Sequence, residues 1–143
     1  VGQLYEQDLY LWAETTAHLL KQKRFSEIEL DALIEELEDV GKSEKRGLKN
    51  QLKRIIMHLL KWKYQPERRG KSWKMSIQNG REEIEDAIID SPSLRKTIPE
   101  LIASVYPNAR ENAIAETDLD DWVFPEQNPF TTGQILDRQF FPE

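Results

Sequence analysis

A carboxylate and an imidazole, Glu14 and His18, stand four residues apart near the start of the chain. On a helix that spacing puts both on one face. Such a pair is what general acid–base chemistry or a helical-bundle metal site needs, because carboxylates and imidazoles projecting from neighbouring helices can share a proton or a cation. His58 and the carboxylates Asp8, Glu35 and Glu36 could extend the set. Against this stands packing: His58 is followed by Leu59 and Leu60, and an imidazole among leucines is more often a core residue with one satisfied ring nitrogen than a ligand. No metal and no cofactor are assigned on this pattern.

A second constellation is electrostatic. Between Lys42 and Arg81 the chain carries thirteen bases against two acids, Glu44 and Glu67. With 20 Lys and Arg and 26 Asp and Glu in the whole chain, seven bases and twenty-four acids remain outside that span. Aromatic rings interleave with the cations from Lys61 to Lys74, and the residues able to contact an anionic partner there are Lys61, Lys63, Arg68, Arg69, Lys71, Trp73, Lys74 and, further on, Arg81. Guanidinium and ammonium groups would pair with phosphates or carboxylates while exposed rings stack. The competing reading makes Trp62 and Trp73 core anchors and pairs the bases with the acids Glu27, Glu29, Asp31, Glu35, Glu36, Glu38 and Asp39. The net charge of −6 favours that reading over nucleic acid, which a net acidic chain repels at long range.

Several chemistries lack their residues. Cysteine is absent, which removes disulfide scaffolds, thiolate metal sites and thiol nucleophiles and suits a reducing compartment, so a cytoplasmic location is expected. No Gly-rich phosphate loop, HExxH, GxSxG or EF-hand pattern occurs. Glu6, Asp8 and Glu14 interrupt the place of a secretory apolar region, and no apolar run approaches the ~20 residues that span a bilayer, so no membrane partner is expected.

The elements that must position these residues are helical. Leu9, Trp12, Thr16, Leu19 and Leu20 fall on one stripe, predicting a helix over about Tyr5 to Lys23. Ser26 with Glu29 reads as a capping box, stapled by Phe25 and Leu30. From there the stripe Leu30, Leu33, Leu37, Val40, Leu48, Leu52, Ile55, Leu59 and Trp62 keeps nearly one phase across Gly41, predicting one long bent helix that stops before Pro66. The alternative is two helices broken at Gly41. After a connector from Gln65 to Lys71, Ser72 is expected to cap a third helix with Trp73, Ile77, Ile84 and Ile88 inward, and Gly80 suits a close helix crossing. Ser91 and Pro92 predict a fourth start, on a segment carrying Leu94, Ile98, Leu101, Ile102, Val105, Ala109 and Ala113 that Pro99 and Pro107 should kink or divide. From Thr117 an irregular tail with five aromatic residues, Trp122, Phe124, Phe130, Phe140 and Phe141, should dock on the helices, with Thr131 capping a short turn around Ile135 and Leu136.

Two blocks carry a family resemblance: Leu33-Ile34-Glu35-Glu36-Leu37-Glu38-Asp39-Val40-Gly41-Lys42-Ser43-Glu44-Lys45-Arg46 and Met57-His58-Leu59-Leu60-Lys61-Trp62-Lys63-Tyr64-Gln65-Pro66-Glu67-Arg68-Arg69. With Tyr5 to Trp12, Asp90 to Leu94, Pro129-Phe130-Thr131 and Ile135-Leu136, they make the chain resemble, over nearly its whole length, the bacterial domain-of-unknown-function family numbered twenty-nine, abundant in cyanobacteria. The resemblance implies an all-helical stand-alone protein and no activity. Asp8, Trp12, Glu35, Glu36, Glu38, Ser43, Glu44, His58, Trp62, Pro66, Arg68, Arg69, Ser72 and Trp73 match its most recognisable motifs. Pro99 and Pro107 depart from its usual helical C-terminal stretch.

The expected fold is therefore all-α: one domain over 1–143, a helical bundle of about four main helices with a long bent second helix, and residues 117–143 a mostly irregular, aromatic-rich tail docked on it. The expected role is a small interaction module that meets an unknown macromolecule, protein before nucleic acid, through the basic surface. The alternative is an enzyme with a carboxylate and histidine site, and a homo-oligomer seamed along the long helix is a third possibility.

Overall fold

The computed structural model of the chain describes residues 3–143, and every regular element among them is helical. Two compact units divide the chain, residues 1–43 and 44–143.

In the first unit the single opening helix expected from Tyr5 to Lys23 is split at Asp8. Helix α1 runs Gln3–Gln7 and α2 Leu9–Lys21. The break has a local cause. Asp8 leaves helical torsions and its carboxylate accepts the Leu11 amide at 3.0 Å, satisfying one of the donors that a helix start leaves unpaired. After α2, Lys23 adopts a left-handed backbone (φ 60°) that turns the chain. No α-helix starts at Ser26. Phe25–Glu27 is a 3-10 turn, Ile28 is extended, and the next helix begins only at Leu30. Phe25 and Leu30, the expected staple, are both well exposed.

Helix α3 runs Leu30–Tyr64 without a break, so the continuing apolar phase overrode Gly41. Its part within the second unit builds that unit's core. Leu48, Leu52, Ile55, Ile56, Leu59 and Leu60 are buried there with Ile77, Ile84 and Ile88 of α4 (Lys71–Asp90). A Cβ at Gly80 would lie 2.7 Å from Ile55 Cγ1, so glycine is what lets α4 approach α3 here. Gly70 rather than Ser72 stands at the N-cap of α4, so the helix starts just before the expected serine cap.

Pro92 does start a helical segment, but as a 3-10 turn through Thr97, and α5 (Ile98–Thr117) follows. The expected division thus falls next to Pro99, which occupies the first turn of α5, where a missing N–H costs nothing. Pro107 lies inside α5, which continues past it, with Val105, Tyr106, Ala109 and Ala113 buried on either side. Asp118 then takes a left-handed backbone (φ 59°) and sends the chain into the tail. Phe124, Phe130 and Ile135 of the tail are buried in the core, and Phe140 and Phe141 pack against it. Thr131 and Gln134 form the capping box of α6 (Thr132–Leu136). Trp122 does not dock: 78% of its surface is exposed.

Candidate functional site

The basic segment is divided between internal and external work. Lys61, only 6% exposed, places its ammonium 2.8 Å from Glu116 Oε1 on α5 and 4.8 Å from the centre of the Trp73 ring. It therefore ties α3 to α5. Arg69 donates from Nε to the Trp62 carbonyl at 2.6 Å and from Nη2 to the Pro142 carbonyl at 3.3 Å, while its guanidinium lies over the Trp62 indole. Arg81 is 0% exposed and donates to the carbonyls of Ile135 at 2.8 Å and Gln134 at 3.0 Å. Burial in apolar surroundings brings its pKa down to about 10, against the field of Asp137, so it stays charged at neutral pH.

Of the eight residues singled out for a basic surface, these three are structural clamps. Arg68, Lys71 and Lys74 are exposed, and Lys63 and Trp73 half-buried. Lys63 and Lys74 lie over the rings of Tyr64 and Phe141. Trp62 packs against the core with its ring 5.0 Å from that of Phe141. The aromatic residues interleaved with cations thus face largely inward, and the carboxylate that Lys61 finds is Glu116 rather than one from the acidic run at 27–39.

The carboxylate and histidine set is shared between the two units. Asp8 is the cap of α2, and Glu14 accepts from the Tyr10 hydroxyl at 2.9 Å on the exposed side of that helix. His18 and Glu35 are exposed. Glu36 accepts the Tyr5 hydroxyl at 2.7 Å, and this bond to a carboxylate raises the Tyr5 pKa. These five belong to the first unit, His58 to the second. His58 is 9% exposed and its Nδ1 donates to the Arg54 carbonyl one turn back at 2.8 Å, which fixes the tautomer. Burial lowers its pKa, and the cation of Lys61 adds to the effect. It is a packed, neutral histidine. Among the described residues no three of His, Asp and Glu are grouped to hold a metal ion.

The apolar surface is what sequence reasoning missed. Leu30, Leu37 and Val40 lie on the stripe expected to face a core, yet with Ile34 they are among the large hydrophobic side chains left exposed. The inward face of α3 in this unit is instead marked by Ala32, fully buried, and by Glu36, which holds Tyr5. Tyr5 in turn packs on the buried Trp12 with ring centres 4.8 Å apart. Leu30, Ile34 and Leu37 recur at helical spacing on another side, each followed by an exposed acid, Asp31, Glu35 and Glu38. None of these three acids has an ion pair among the described residues. The amphipathic Leu-Asp, Ile-Glu, Leu-Glu pattern was the available signal.

Internally clamped cations, a packed histidine and an acid-bordered apolar stripe on an all-helical chain define the class of small helical proteins. The chain belongs to the DUF29 family, a domain of unknown function, whose model matches residues 4–141. No curated protein and no solved structure matches it.

Proposed function

We propose that this protein is a small helical interaction module, and that its first unit takes a basic amphipathic helix of a partner protein on the stripe Leu30, Ile34, Leu37 and Val40. One observation carries the reading: nine of the twelve large hydrophobic side chains that the described chain leaves exposed lie at or before Val40. The stripe alone, roughly four side chains at about half to two-thirds exposure, amounts to on the order of 400 Å², within the size range of functional patches on monomers. Its acid border sets the sign of the partner. A helix with leucines on one face and lysines or arginines beside them would bury its apolar residues at i, i+3, i+4 and i+7 and answer Asp31, Glu35 and Glu38 with cations. Nucleic acid is the poorer fit, because the same acids repel phosphate.

The test uses a fluorescent model helix built of leucine and lysine, with a leucine and glutamate helix as control. The lysine peptide should bind and the glutamate peptide should not. In the double variant Leu30→Glu, Leu37→Glu the affinity should fall at least tenfold with the helical signal unchanged, since these side chains are 63% and 64% exposed. Those substitutions add negative charge, so non-specific attraction of the peptide would rise. Unchanged or tighter binding in the variant would overturn the reading. Sedimentation of the protein alone checks whether a second copy occupies the stripe, in which case a dimer would be seen and the peptide would compete with it.

A further inference from the structure

In the second unit a cleft of about 550 Å³ lies between α4, the turn Pro92–Thr97, the start of α5 and α6. That volume is in the range of small-molecule sites. Its walls include Ile84, Ile88 and Leu136, and the charged groups among its lining are Arg81, Glu85 and Arg95. Their charges do not cancel. Glu85 already accepts two bonds from Arg138, at 2.9 and 2.6 Å, which hold its carboxylate below the usual range. Arg95 is exposed and has no ion pair among the described residues. Arg81, fully buried in the wall, spends Nε and Nη2 on the carbonyls of Ile135 and Gln134, while its buried Nη1 has no hydrogen-bond partner. Asp137 contributes an attractive field but forms no ion pair with it.

An apolar cleft with two cations whose charge is not taken up by a carboxylate favours one chemistry. A neutral hydrocarbon would gain from the walls and leave the cations unanswered. A phosphate dianion would answer them but would have to shed more hydration than the apolar walls return. We infer that the cleft binds a small amphipathic carboxylate, with its hydrocarbon body on Ile84, Ile88 and Leu136 and its single negative charge held between Arg95 and the buried Arg81. Arg95, exposed on the turn, supplies the contact, because a guanidinium forks onto a carboxylate with two parallel hydrogen bonds. Arg81 acts through the wall, where the low dielectric makes its field reach further than it would in water.

Decanoate, 1-decanol and acetate separate body from head when each is titrated, below micelle formation, into the full chain with isoleucine methyl signals recorded by NMR. Decanoate should shift the Ile84 and Ile88 methyls saturably, decanol should bind at least tenfold more weakly, and acetate should leave these methyls unmoved. Arg95→Glu should weaken decanoate about tenfold and leave decanol unchanged. Arg81→Met should bring decanoate down to the level of decanol, and where that variant loses helical signal, Arg95→Glu decides the charge question alone. Equal affinity for decanoate and decanol, no saturable shift at Ile84 and Ile88, or an unaltered decanoate affinity in Arg95→Glu would each overturn the proposal. The Leu30→Glu, Leu37→Glu variant should bind decanoate as the parent does.

Discussion

Replacing Gly80 by alanine sets two effects of known sign against each other. In a helix interior alanine is better than glycine by about 1 kcal/mol, because glycine loses more backbone freedom on folding. At Gly80 the new methyl would lie 2.7 Å from Ile55 Cγ1, 3.2 Å from Ile55 Cδ1 and 3.5 Å from Gln51 Oε1. Carbon atoms rest at about 3.5–4.0 Å, so roughly an ångström must be found. Ile55 is β-branched and fully buried, hence held at χ1 and walled in by the core, and cannot swing away as the end of a lysine would. Overpacking of this kind costs about 1–3 kcal/mol. The net expectation for Gly80→Ala is destabilisation by up to about 2 kcal/mol after the propensity gain. Gly41 and Gly47 of α3 are the internal controls, since a Cβ at either would meet nothing within 4 Å. There alanine should stabilise by up to about 1 kcal/mol. Urea unfolding of the three single variants reads this directly, as opposite shifts in midpoint at constant slope. Ile55→Ala removes the obstructing Cγ1, so combining it with Gly80→Ala should cost less than the two changes summed. If Gly80→Ala stabilises the protein as the α3 glycines do, the close crossing of α3 and α4 is refuted.

Other expectations follow from single side chains. His58 has a folded pKa below the ordinary 6.5, so the unfolded chain takes up its proton first. Its contribution to stability is complete above pH 6.5 and is lost as the pH falls from there through the folded value, and His58→Leu should flatten the urea midpoint between pH 7 and 5 relative to the parent. Glu116→Gln leaves the buried Lys61 ammonium without its carboxylate. With Glu116 half exposed, the loss should be about 1–3 kcal/mol, while Lys61→Met, which removes the buried charge as well, should cost less. Denaturant titration of the two variants decides the order.

The fold was legible where the pattern was long and the partner near. Apolar residues in one phase from Leu48 to Leu59 outweighed Gly41 and Gly47, and Thr131 with Gln134 fixed a cap within four residues. Short signals failed where another geometry was as good. Ser26 and Glu29 have the spacing of a capping box, yet the chain takes a 3-10 turn and an extended Ile28 first. Asp8 looked like a candidate for chemistry because a carboxylate at a helix start and a carboxylate at a site are the same residue in a sequence. The roles of Lys61, Arg69 and Arg81 were hidden for a different reason. The partners that tie them to other elements lie 55, 73 and 53–54 residues away, and all but Glu116 are backbone atoms of the tail. Burial of the helix stripe was misjudged between Leu30 and Val40 because periodicity marks an apolar face without saying whether anything in the same chain covers it.

The way the tail is fastened bears on which of its positions can drift. Arg69, Gln78, Arg81 and Arg110 reach it through the carbonyls of Pro142, Arg138, Ile135, Gln134, Phe124 and Asp121. Every amino acid offers a carbonyl, so these bonds make no demand on the side chains that receive them. The arginine donors have less latitude, since a guanidinium holds its N–H groups in a rigid fork that an ammonium does not reproduce. Random mutagenesis scored for folding should therefore find Arg81 and Arg110 nearly immutable and Asp121, whose carbonyl alone is used, permissive. The two ends of one attachment would then change independently, leaving no paired substitution by which the contact could be traced.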